Sequence, residues 1–431
     1  MQPMLLSYLF VACLLGGMLV RLWLASRQIR HVSRHSHQVP AGFDTRISLS
    51  AHQRAASYTI ARIRLGLVDQ TISALLLVAL TLLGGLDLIA ALCQQWLPGS
   101  PLLAQMAVVV STMLIISLIE LPVELWRHFR LESRFGFNRM SLSLFVADRL
   151  KGLLVGAVLG LPLLAGMIAL MQHTSQWWLW AWLLWTAFSV TLMLLYPAVI
   201  APIFNRFTPL PDGSVRSRIE ALMARCRFHA KGLFVIDGSR RSAHGNAYFA
   251  GAGKARRIVF FDTLLERLDA SEIEAVLAHE LGHFKHRHIL KRLAMQVVLS
   301  LACFALLGWL SSQLWFYQGL GVQPDLTQPG MPAGVTLMLF LLALPVFSFW
   351  LRPLAAWMSR RDEFQADAFA VAQSDGNALI SALTKLYEDN ASTLTPDPVH
   401  SAFYDSHPPA LIRIGHIRSL MPQAAPSTAA S

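Results

Sequence analysis

The sequence has few charged residues. Only 14% of its 431 residues are Asp, Glu, Lys or Arg, whereas an average soluble domain has about a quarter. This shortage excludes an ordinary soluble globular protein. Because 55% of the residues are hydrophobic, the chain has ample apolar surface to bury, which excludes disorder over most of its length. The class that the composition predicts is a polytopic membrane protein.

Cysteine is also scarce. The four cysteines lie far apart in the sequence and form no CxxC pair. Cys13, Cys93 and Cys303 fall within apolar runs, where a buried free thiol is the ordinary case. The sequence therefore predicts neither a disulfide framework nor a cysteine-ligated metal.

Long apolar runs, in contrast, are abundant. A helix needs about 20 residues to cross about 30 Å of hydrocarbon. Seven stretches meet that length, and we place them near 4–24, 70–92, 102–122, 152–172, 177–199, 293–316 and 334–352. The first run is too long for a cleavable signal peptide and has no basic residue before it. We therefore predict an all-α polytopic fold with seven spans, the first of which is an anchor.

The basic residues alternate between successive gaps. Segment 26–66 has seven Arg and segment 124–151 has six Lys or Arg, whereas segments 93–101, 173–176 and 317–333 have none. The net charge of +11 thus follows the positive-inside rule and does not indicate a nucleic-acid partner. This alternation predicts an outside N-terminus, with segments 200–292 and 353–431 in the cytoplasm.

The spans and gaps divide the chain into five predicted segments. They are a membrane region of five spans (1–199), a cytosolic catalytic segment (200–292), spans six and seven (293–352), a helical cytosolic segment (353–420) and a disordered tail (421–431). Within the catalytic segment, the apolar runs 232–236 and 257–261 predict short buried strands.

The sharpest motif is HELGH at 279–283. We predict a helix that starts with a capping box of Ser271 and Glu274. Spacing i,i+4 places His279 and His283 on one helix face, where both imidazoles can bind one zinc ion. Glu280 is suited to take a proton from the attacking water. The alternative is an amphipathic helix with incidental surface histidines.

A catalytic zinc site needs a third protein ligand. His286 lies seven residues after His279, about 10 Å along a helix, too far for zinc bonds of about 2 Å. We interpret 285–288 as a basic, hydrated collar between the helix and span six. Glu363 and Asp367 share a helix face, so that one can bind the metal and the other can support the site. The alternative for this pair is solvated surface charge.

Several motifs together carry a family resemblance. In chain order they are 30–32 (RHV), 39–40 (VP), 52–53 (HQ), 134–139 (RFGFNR), 242–248 (SAHGNAY), 279–283 (HELGH), 363–370 (EFQADAFA) and 406–409 (SHPP). In this order and with seven spans, the sequence resembles the type I CAAX prenyl proteases, which are integral-membrane zinc metallopeptidases of the gluzincin kind. The resemblance implies seven helices around a large chamber and one Zn²⁺ per chain.

The resemblance also implies individual roles. They are zinc ligands (His279, His283 and Glu363), the catalytic base (Glu280), a second acidic residue that orients a ligand or donates a proton (Asp367), a stabiliser of the oxyanion (His407), a supporting cation (Arg413) and a residue that holds substrate backbone (Asn246). An extended substrate is expected to add as a strand beside 245–249.

The sequence therefore predicts a zinc endopeptidase of the bacterial inner membrane that faces the cytoplasm. Its partners are membrane lipid and a peptide substrate, either a prenylated C-terminus or a damaged membrane protein. A heat-shock-type membrane metalloprotease, which has fewer spans, is the alternative within the enzyme class. A transporter with an incidental HExxH would line a path with intramembrane charges. A scaffold with a dead site would bind metal without hydrolysis.

Overall fold

The computed structural model describes residues 2–44, 46–250, 257–323 and 332–422. Its helices are α1 (Pro3–Arg34), α2 (Leu49–Leu80), α3 (Gly85–Trp96), α4 (Pro101–Trp126), α5 (Leu142–His173), α6 (Trp177–Leu195), α7 (Ala201–Phe204), α8 (Ser214–Arg225), α9 (Asp262–Arg267), α10 (Ala270–Lys285), α11 (His288–Leu310), α12 (Leu314–Gly319), α13 (Ala333–Ser348), α14 (Arg352–Gln373), α15 (Gly376–Asp389), α16 (Pro398–Tyr404) and α17 (Ala410–Leu420). Its strands are β1 (Phe207–Pro209), β2 (Gly232–Ile236), β3 (Ala247–Ala250) and β4 (Arg257–Phe261). The predicted helical fold with a few short strands is confirmed.

Seven helical segments in the described ranges are long and apolar enough to cross a membrane. They are Pro3–Arg34, Leu49–Leu80, Pro101–Glu132, Leu142–His173, Trp177–Phe204, His288–Leu310 and Ala333–Gln373. The predicted number of spans is therefore confirmed. A helical turn of the π type, Arg127–Glu132, extends α4, and a second, Tyr196–Ile200, joins α6 to α7.

The predicted position of span two, 70–92, is wrong. The second long helix is α2, and its apolar half ends at Leu80. The chain then turns through Gly84, whose φ of 75° is a left-handed conformation that favours glycine. The remainder of the leucine-rich run forms the separate helix α3. Hydropathy alone missed this because the first half of α2 is polar and the turn lies inside an apolar run.

The chain forms two compact units, each with its own core. The first unit comprises 1–26, 61–204 and 292–352. In it α4 packs against α3 and α13. Every residue of α13 from Ala333 to Phe340 is buried, the pattern of a helix that is surrounded by other helices. The buried hydroxyl of Tyr317 is satisfied by the Ser311 carbonyl and the Thr336 hydroxyl, at 2.9 and 2.8 Å.

The second unit comprises 27–60, 205–291 and 353–431, of which 423–431, most of the predicted disordered tail, lies outside the described residues. Its sheet has the strand order β1-β2-β4-β3, with β2 and β4 parallel and the two outer pairs antiparallel. β2 and β4 coincide with the two predicted strands, which are confirmed. β3 lies at one edge of the sheet, and α8 and α15 pack against α10.

The start of α10 differs from the predicted capping box. Asp269 is the N-cap, its carboxylate accepts from the Ser271 and Glu272 backbone N–H groups, and Glu272 accepts from the Asp269 N–H. The prediction of Ser271 with Glu274 is therefore wrong. Glu274 lies one turn further on and binds two arginines of α8. Asp269 takes the cap because its backbone is extended (ψ 171°) and its side chain faces the orphan N–H groups.

A close helix crossing in the second unit fixes the distance between α10 and α14. Gly282 of α10 lies against α14, where a Cβ atom at this position would be 2.8 Å from Ala366 Cα and 3.0 Å from the Ala366 carbonyl oxygen. Only glycine permits this approach. The crossing brings the HELGH face of α10 next to the residues of α14 that contain Glu363 and Asp367.

Candidate active site

His279, His283 and Glu363 converge at the crossing of α10 and α14. Each offers one ligand atom, and the three atoms lie within 4.8 Å of one another. The Glu363 carboxylate faces both imidazoles, with 3.4 Å from Oε2 to His279 Nε2 and 3.3 Å from Oε1 to His283 Nε2. Glu363 is only 2% exposed. The structure thus brings together the three residues that we predicted as ligands.

The two imidazole–carboxylate distances, 3.4 and 3.3 Å, match the separation of neighbouring ligand atoms around a tetrahedral Zn²⁺. Zinc–nitrogen bonds of about 2.0–2.1 Å hold neighbouring ligand atoms about 3.3 Å apart in a tetrahedral site. Glu363 Oε2 is buried and makes no hydrogen bond within the described residues. A buried carboxylate oxygen without a partner is costly, so the donor set of two imidazoles and one carboxylate is chemically suited to Zn²⁺.

His279 is held from behind by Asp367. His279 Nδ1 lies 2.8 Å from Asp367 Oδ1, so that Nε2 is left facing Glu363. Burial lowers the pKa of His279, but the adjacent carboxylates of Asp367 and Glu363 outweigh it and raise the pKa to about 9. The carboxylates therefore stabilise positive charge at this position.

Arg413 completes the support. Its guanidinium donates from Nε and Nη2 to the two oxygens of Asp367, at 2.9 and 2.6 Å, and Nη1 lies 3.6 Å from Glu363 Oε2. This is a forked, charge-assisted contact between two planar groups. Asp367 is fully buried, so Arg413 fixes the carboxylate that in turn orients His279.

A cleft of about 360 Å³ opens beside these residues. Glu280, Asn246, His407 and Arg413 line it together with His279. Burial raises the pKa of Glu280, although His279 and His283 counteract part of that rise. A carboxylate with a raised pKa is a better proton acceptor near neutral pH than an ordinary glutamate.

His407 reaches the same site from the loop before α17. Its Nε2 lies 3.4 Å from Glu363 Oε1, and its side chain is 61% exposed. The Ser406 hydroxyl lies 3.1 Å from His407 Nδ1. His407 therefore lines the cleft with Nε2 facing the Glu363 carboxylate.

Asn246 lies where the cleft meets the edge strand β3. Its side-chain Oδ1 accepts from the Ala247 N–H at 2.8 Å, and its backbone carbonyl accepts from the Phe261 N–H at 3.0 Å. The preceding loop is fixed by His244, whose Nδ1 lies 2.8 Å from Asn390 Oδ1. The structure therefore places Asn246 in the same cleft as His279, at the end of an unpaired strand edge among the described strands.

Comparison with known proteins decides the family. The profile described as "CAAX prenyl protease N-terminal, five membrane helices" matches residues 28–206, and that of "Peptidase family M48" matches residues 209–421. The chain belongs to peptidase family M48. It is a multi-pass integral membrane metallopeptidase. The N-terminal match and the seven long helices favour the CAAX prenyl protease type over the heat-shock type, which has fewer spans.

Relatives and a solved structure resemble this M48 peptidase over most of its length. "CAAX prenyl protease 1 homolog" of Arabidopsis thaliana is 36% identical over 328 residues, 74% of each chain. "CAAX prenyl protease 1" of Saccharomyces cerevisiae is 34% identical over 304 residues, which is 68% of this chain and 67% of the yeast protein. The crystal structure of S. mikatae Ste24p has a TM-score of 0.88 and 26% identity, covering 96% of this chain and 99% of that one.

We predicted that residues 285–288 of this M48 peptidase form a hydrated collar. That prediction is wrong for His288. His286 and Arg287 are exposed, as predicted, but His288 is only 1% exposed. The helix α10 ends at Lys285 and α11 begins at His288, so the chain is not one straight helix here. This break turns His288 back toward His283, with 2.9 Å between their Nδ1 atoms.

Sequence reasoning missed several residues of the M48 site. Tyr387 and Asn390 line the cleft, and burial raises the pKa of Tyr387 to about 12. Tyr387 lies on the apolar stripe of α15 and gave no signal of its own. Asn390 follows that helix, where an asparagine is an ordinary C-terminal residue. His288 belongs to the basic run at 285–288, which the sequence did single out. Its contact with His283 depends on the helix break, which the sequence did not predict.

Proposed function

We propose that this M48 peptidase holds one zinc ion per chain through His279, His283 and Glu363 and hydrolyses peptide bonds. One observation carries the proposal: two imidazole nitrogens and one oxygen of the buried Glu363 carboxylate lie within 4.8 Å of one another, and Glu363 Oε2 has no hydrogen-bond partner in the described structure. M48 peptidases are zinc-dependent in general, and the chemistry of the donor set supports the same metal.

The residues around the ligands fit the steps of hydrolysis. When bound, zinc supplies the Lewis acidity that lowers the pKa of a coordinated water to about 7. Glu280 takes the proton of the attacking water and later delivers it to the leaving amine. The raised pKa of Glu280 suits both transfers, because the group must accept and then release the same proton.

Three further residues complete the proposed machinery. His407 donates from Nε2 to the oxyanion that forms when the carbonyl is attacked, which stabilises developing charge. Asp367 keeps His279 in the tautomer with a free Nε2, since it accepts from Nδ1 at 2.8 Å. Arg413 holds Asp367 in place through two hydrogen bonds.

The substrate binds as an extended strand in this proposal. Asn246 directly precedes β3, and main-chain hydrogen bonds along the outer edge of such a strand give affinity with little sequence demand. Leucines of α15 line the cleft beside Asn246 and suit an apolar side chain. The relatives are named as CAAX prenyl proteases, so a prenylated C-terminus is the first substrate to test, and a damaged membrane protein is the second.

The location is part of the same proposal. We infer that the N-terminus lies outside the cytoplasm, because Lys and Arg concentrate in segments 26–66 and 124–151, and we assign the chain to a bacterial inner membrane as part of this proposal. Segments 200–292 and 353–420 then supply the catalytic residues on the cytoplasmic side, and 1–199 and 293–352 supply the spans. Reporter fusions after residues 36 and 98 test this: a cytoplasmic signal at 98 and an external signal at 36 would reverse the orientation.

Zinc analysis and peptide cleavage test the function. We expect about one zinc per purified chain, lost in His279→Ala and in Glu363→Ala. Cleavage of a farnesylated CAAX peptide and of its unmodified twin is measured with and without a chelator. Cleavage that persists in the chelator, or a chain that binds no zinc, would overturn the proposal. If the protein cleaves the unmodified peptide and not the farnesylated one, only the proposal of a prenylated substrate is rejected.

Glu280→Gln isolates the role of the base. The variant keeps the three ligands, so we expect the zinc content of the wild type with cleavage reduced by at least about 10²-fold, the range for loss of a general base. His286→Ala is the matched control, because His286 is exposed and lies outside the ligand set. Wild-type turnover in Glu280→Gln contradicts the assignment.

A further inference from the structure

His288 is a buried imidazole that neither the ligand set nor the proposed proton transfers use. Its side chain is 1% exposed, although it adjoins the exposed Arg287. Its Nδ1 lies 2.9 Å from Nδ1 of His283, and its Nε2 lies 3.0 Å from Gln365 Oε1 and 3.5 Å from Asp362 Oδ1. Both ring nitrogens of His288 thus have a polar partner, and one partner is a proposed zinc ligand.

The backbone adopts an unfavourable conformation to place His288 there. Arg287 has a φ of 56°, a left-handed conformation that a side chain with a Cβ atom rarely adopts. It separates the end of α10 from the start of α11. Such strain persists only where the surroundings enforce it, and it concentrates at functional sites. Without this break, His288 would point along a continuing helix and could not reach His283.

If a cation binds Nε2 of His283, the hydrogen-bond pattern has one direction for the protons. Nε2 of His283 faces Glu363 at 3.3 Å, so it must be free of a proton to bind a cation, and Nδ1 of His283 then carries the proton. That Nδ1–H donates to Nδ1 of His288, which must accept. His288 therefore carries its own proton on Nε2 and donates it to the amide oxygen of Gln365.

We propose that His288 is the positioning residue for His283: it accepts the Nδ1–H of His283, with Gln365 fixing the tautomer of His288, and so holds Nε2 of His283 toward the metal. The inference rests on the proposed zinc site. Outer hydrogen bonds of this kind orient a metal-bound histidine and raise its basicity.

The support of the two histidines is then unequal. His279 donates to the carboxylate of Asp367, at 2.8 Å, whereas His283 donates to a neutral imidazole. A carboxylate behind each histidine would add a second negative charge next to Glu363. A neutral acceptor orients the ring of His283 and keeps the further carboxylate, Asp362, on the far side of His288, 3.5 Å from its Nε2.

The test compares zinc affinity in three variants of the full-length protein in detergent. Zinc is titrated in competition with a chromophoric chelator, and the thermal unfolding of each metal-free protein is recorded alongside. We expect His288→Ala to bind Zn²⁺ about 10–100-fold more weakly, the usual effect of losing an outer-shell partner. His288→Asn places an acceptor near the position of Nδ1 and should restore most of the affinity. His286→Ala, which removes a neighbouring exposed imidazole, should bind like the wild type.

The outcomes distinguish a failure of the zinc site from a failure of the positioning role of His288. A wild-type chain that binds no zinc overturns the zinc site and this inference together. Wild-type affinity in His288→Ala overturns the inference alone. Equal weakening in His288→Ala and His288→Asn also overturns it, because packing rather than the hydrogen bond to His283 would then be the cause. Restored affinity in His288→Asn, with equal unfolding temperatures of the metal-free proteins, supports the positioning role.

Discussion

At the scale of single residues, the site is organised by charge balance. Glu363 and Asp367 bring two buried carboxylates within reach of Arg413, which is itself 6% exposed. One guanidinium offsets only one of the two carboxylates, so the other must be offset by positive charge on His279, whose pKa is raised to about 9, or by a bound cation. Buried charges are tolerated only when they are paired and hydrogen-bonded, which makes Arg413 important for stability as well as for zinc.

We expect Arg413→Met to destabilise the protein strongly. The change removes the two hydrogen bonds that Arg413 donates to the fully buried Asp367 carboxylate, and breaking a buried pair by removing one partner costs about 3–5 kcal/mol. Thermal unfolding in detergent is the measurement. Arg216→Met is the matched control, because Arg216 also contacts two carboxylates but is 40% exposed, and such surface pairs contribute about 0–1 kcal/mol. Equal losses in the two variants would contradict the charge argument.

At the scale of elements, the crossing of α10 and α14 sets the metal-binding geometry. Gly282 lies between the two proposed histidine ligands in sequence and touches the α14 backbone at Ala366. The opposite end of α10 is fixed by the Asp269 cap and by Glu272, which binds Ser381 and Lys385. The position of Glu363 relative to the histidines therefore depends on packing between helices.

Gly282→Ala is expected to push α14 away from α10. An added Cβ atom would meet backbone atoms, which cannot rotate aside, and such overpacking costs about 1–3 kcal/mol. We expect lower thermal stability and weaker zinc binding, measured by unfolding and chelator competition. Gly415→Ala in α17 is the control: a Cβ atom there meets nothing within 4 Å, and alanine favours a helix by about 1 kcal/mol. Unchanged zinc affinity in Gly282→Ala would argue against this role of the crossing.

The N-terminus of α16 gives a prediction about pH. Burial raises the pKa of Asp397, but hydrogen bonds from Arg27 and from the backbone of α16 outweigh it and lower the pKa below its usual range. The depressed pKa adds stability that is present above the unfolded pKa of about 3.9 and is lost as the pH falls through the folded pKa. The difference in unfolding temperature between the wild type and Asp397→Asn should therefore be constant near neutral pH and shrink below about pH 4.

A pH series of thermal unfolding checks this prediction. Asp212→Asn serves as the control, because the Asp212 side chain is 93% exposed and its ion pair should contribute about 0–1 kcal/mol. A difference between the wild type and Asp397→Asn that grows on acidification would have the wrong sign for a depressed pKa.

At the scale of the whole molecule, zinc should stabilise the folded chain. The proposed ligands belong to α10 and α14, which are far apart in sequence, so the unfolded chain cannot present the same site. A ligand that binds only the folded state adds about 2.7 kcal/mol at 100 times its dissociation constant. We expect a chelator to lower the unfolding temperature of the wild type and to leave His279→Ala unaffected. An equal shift in both proteins would mean that the chelator acts elsewhere.

The sequence by itself determined the elements that local physics controls. Hydropathy predicted seven long helices, apolar runs predicted β2 and β4, and the i,i+4 spacing placed His279 and His283 on one helix face. Each depends on residues near one another in the chain. Even so, the turn at Gly84 and the cap at Asp269 differed from prediction, because competing local signals lay within a few residues of each other.

Only the tertiary structure decided which distant groups meet. Spacing offered Glu363 and Asp367 as equivalent candidates from the residues alone, and the crossing at Gly282 turned Glu363 toward both imidazoles and Asp367 toward the back of His279. The same holds for His288, whose partners depend on the break at Arg287. A hydrogen bond between side chains far apart in sequence depends on how helices pack, and packing is a property of the whole unit.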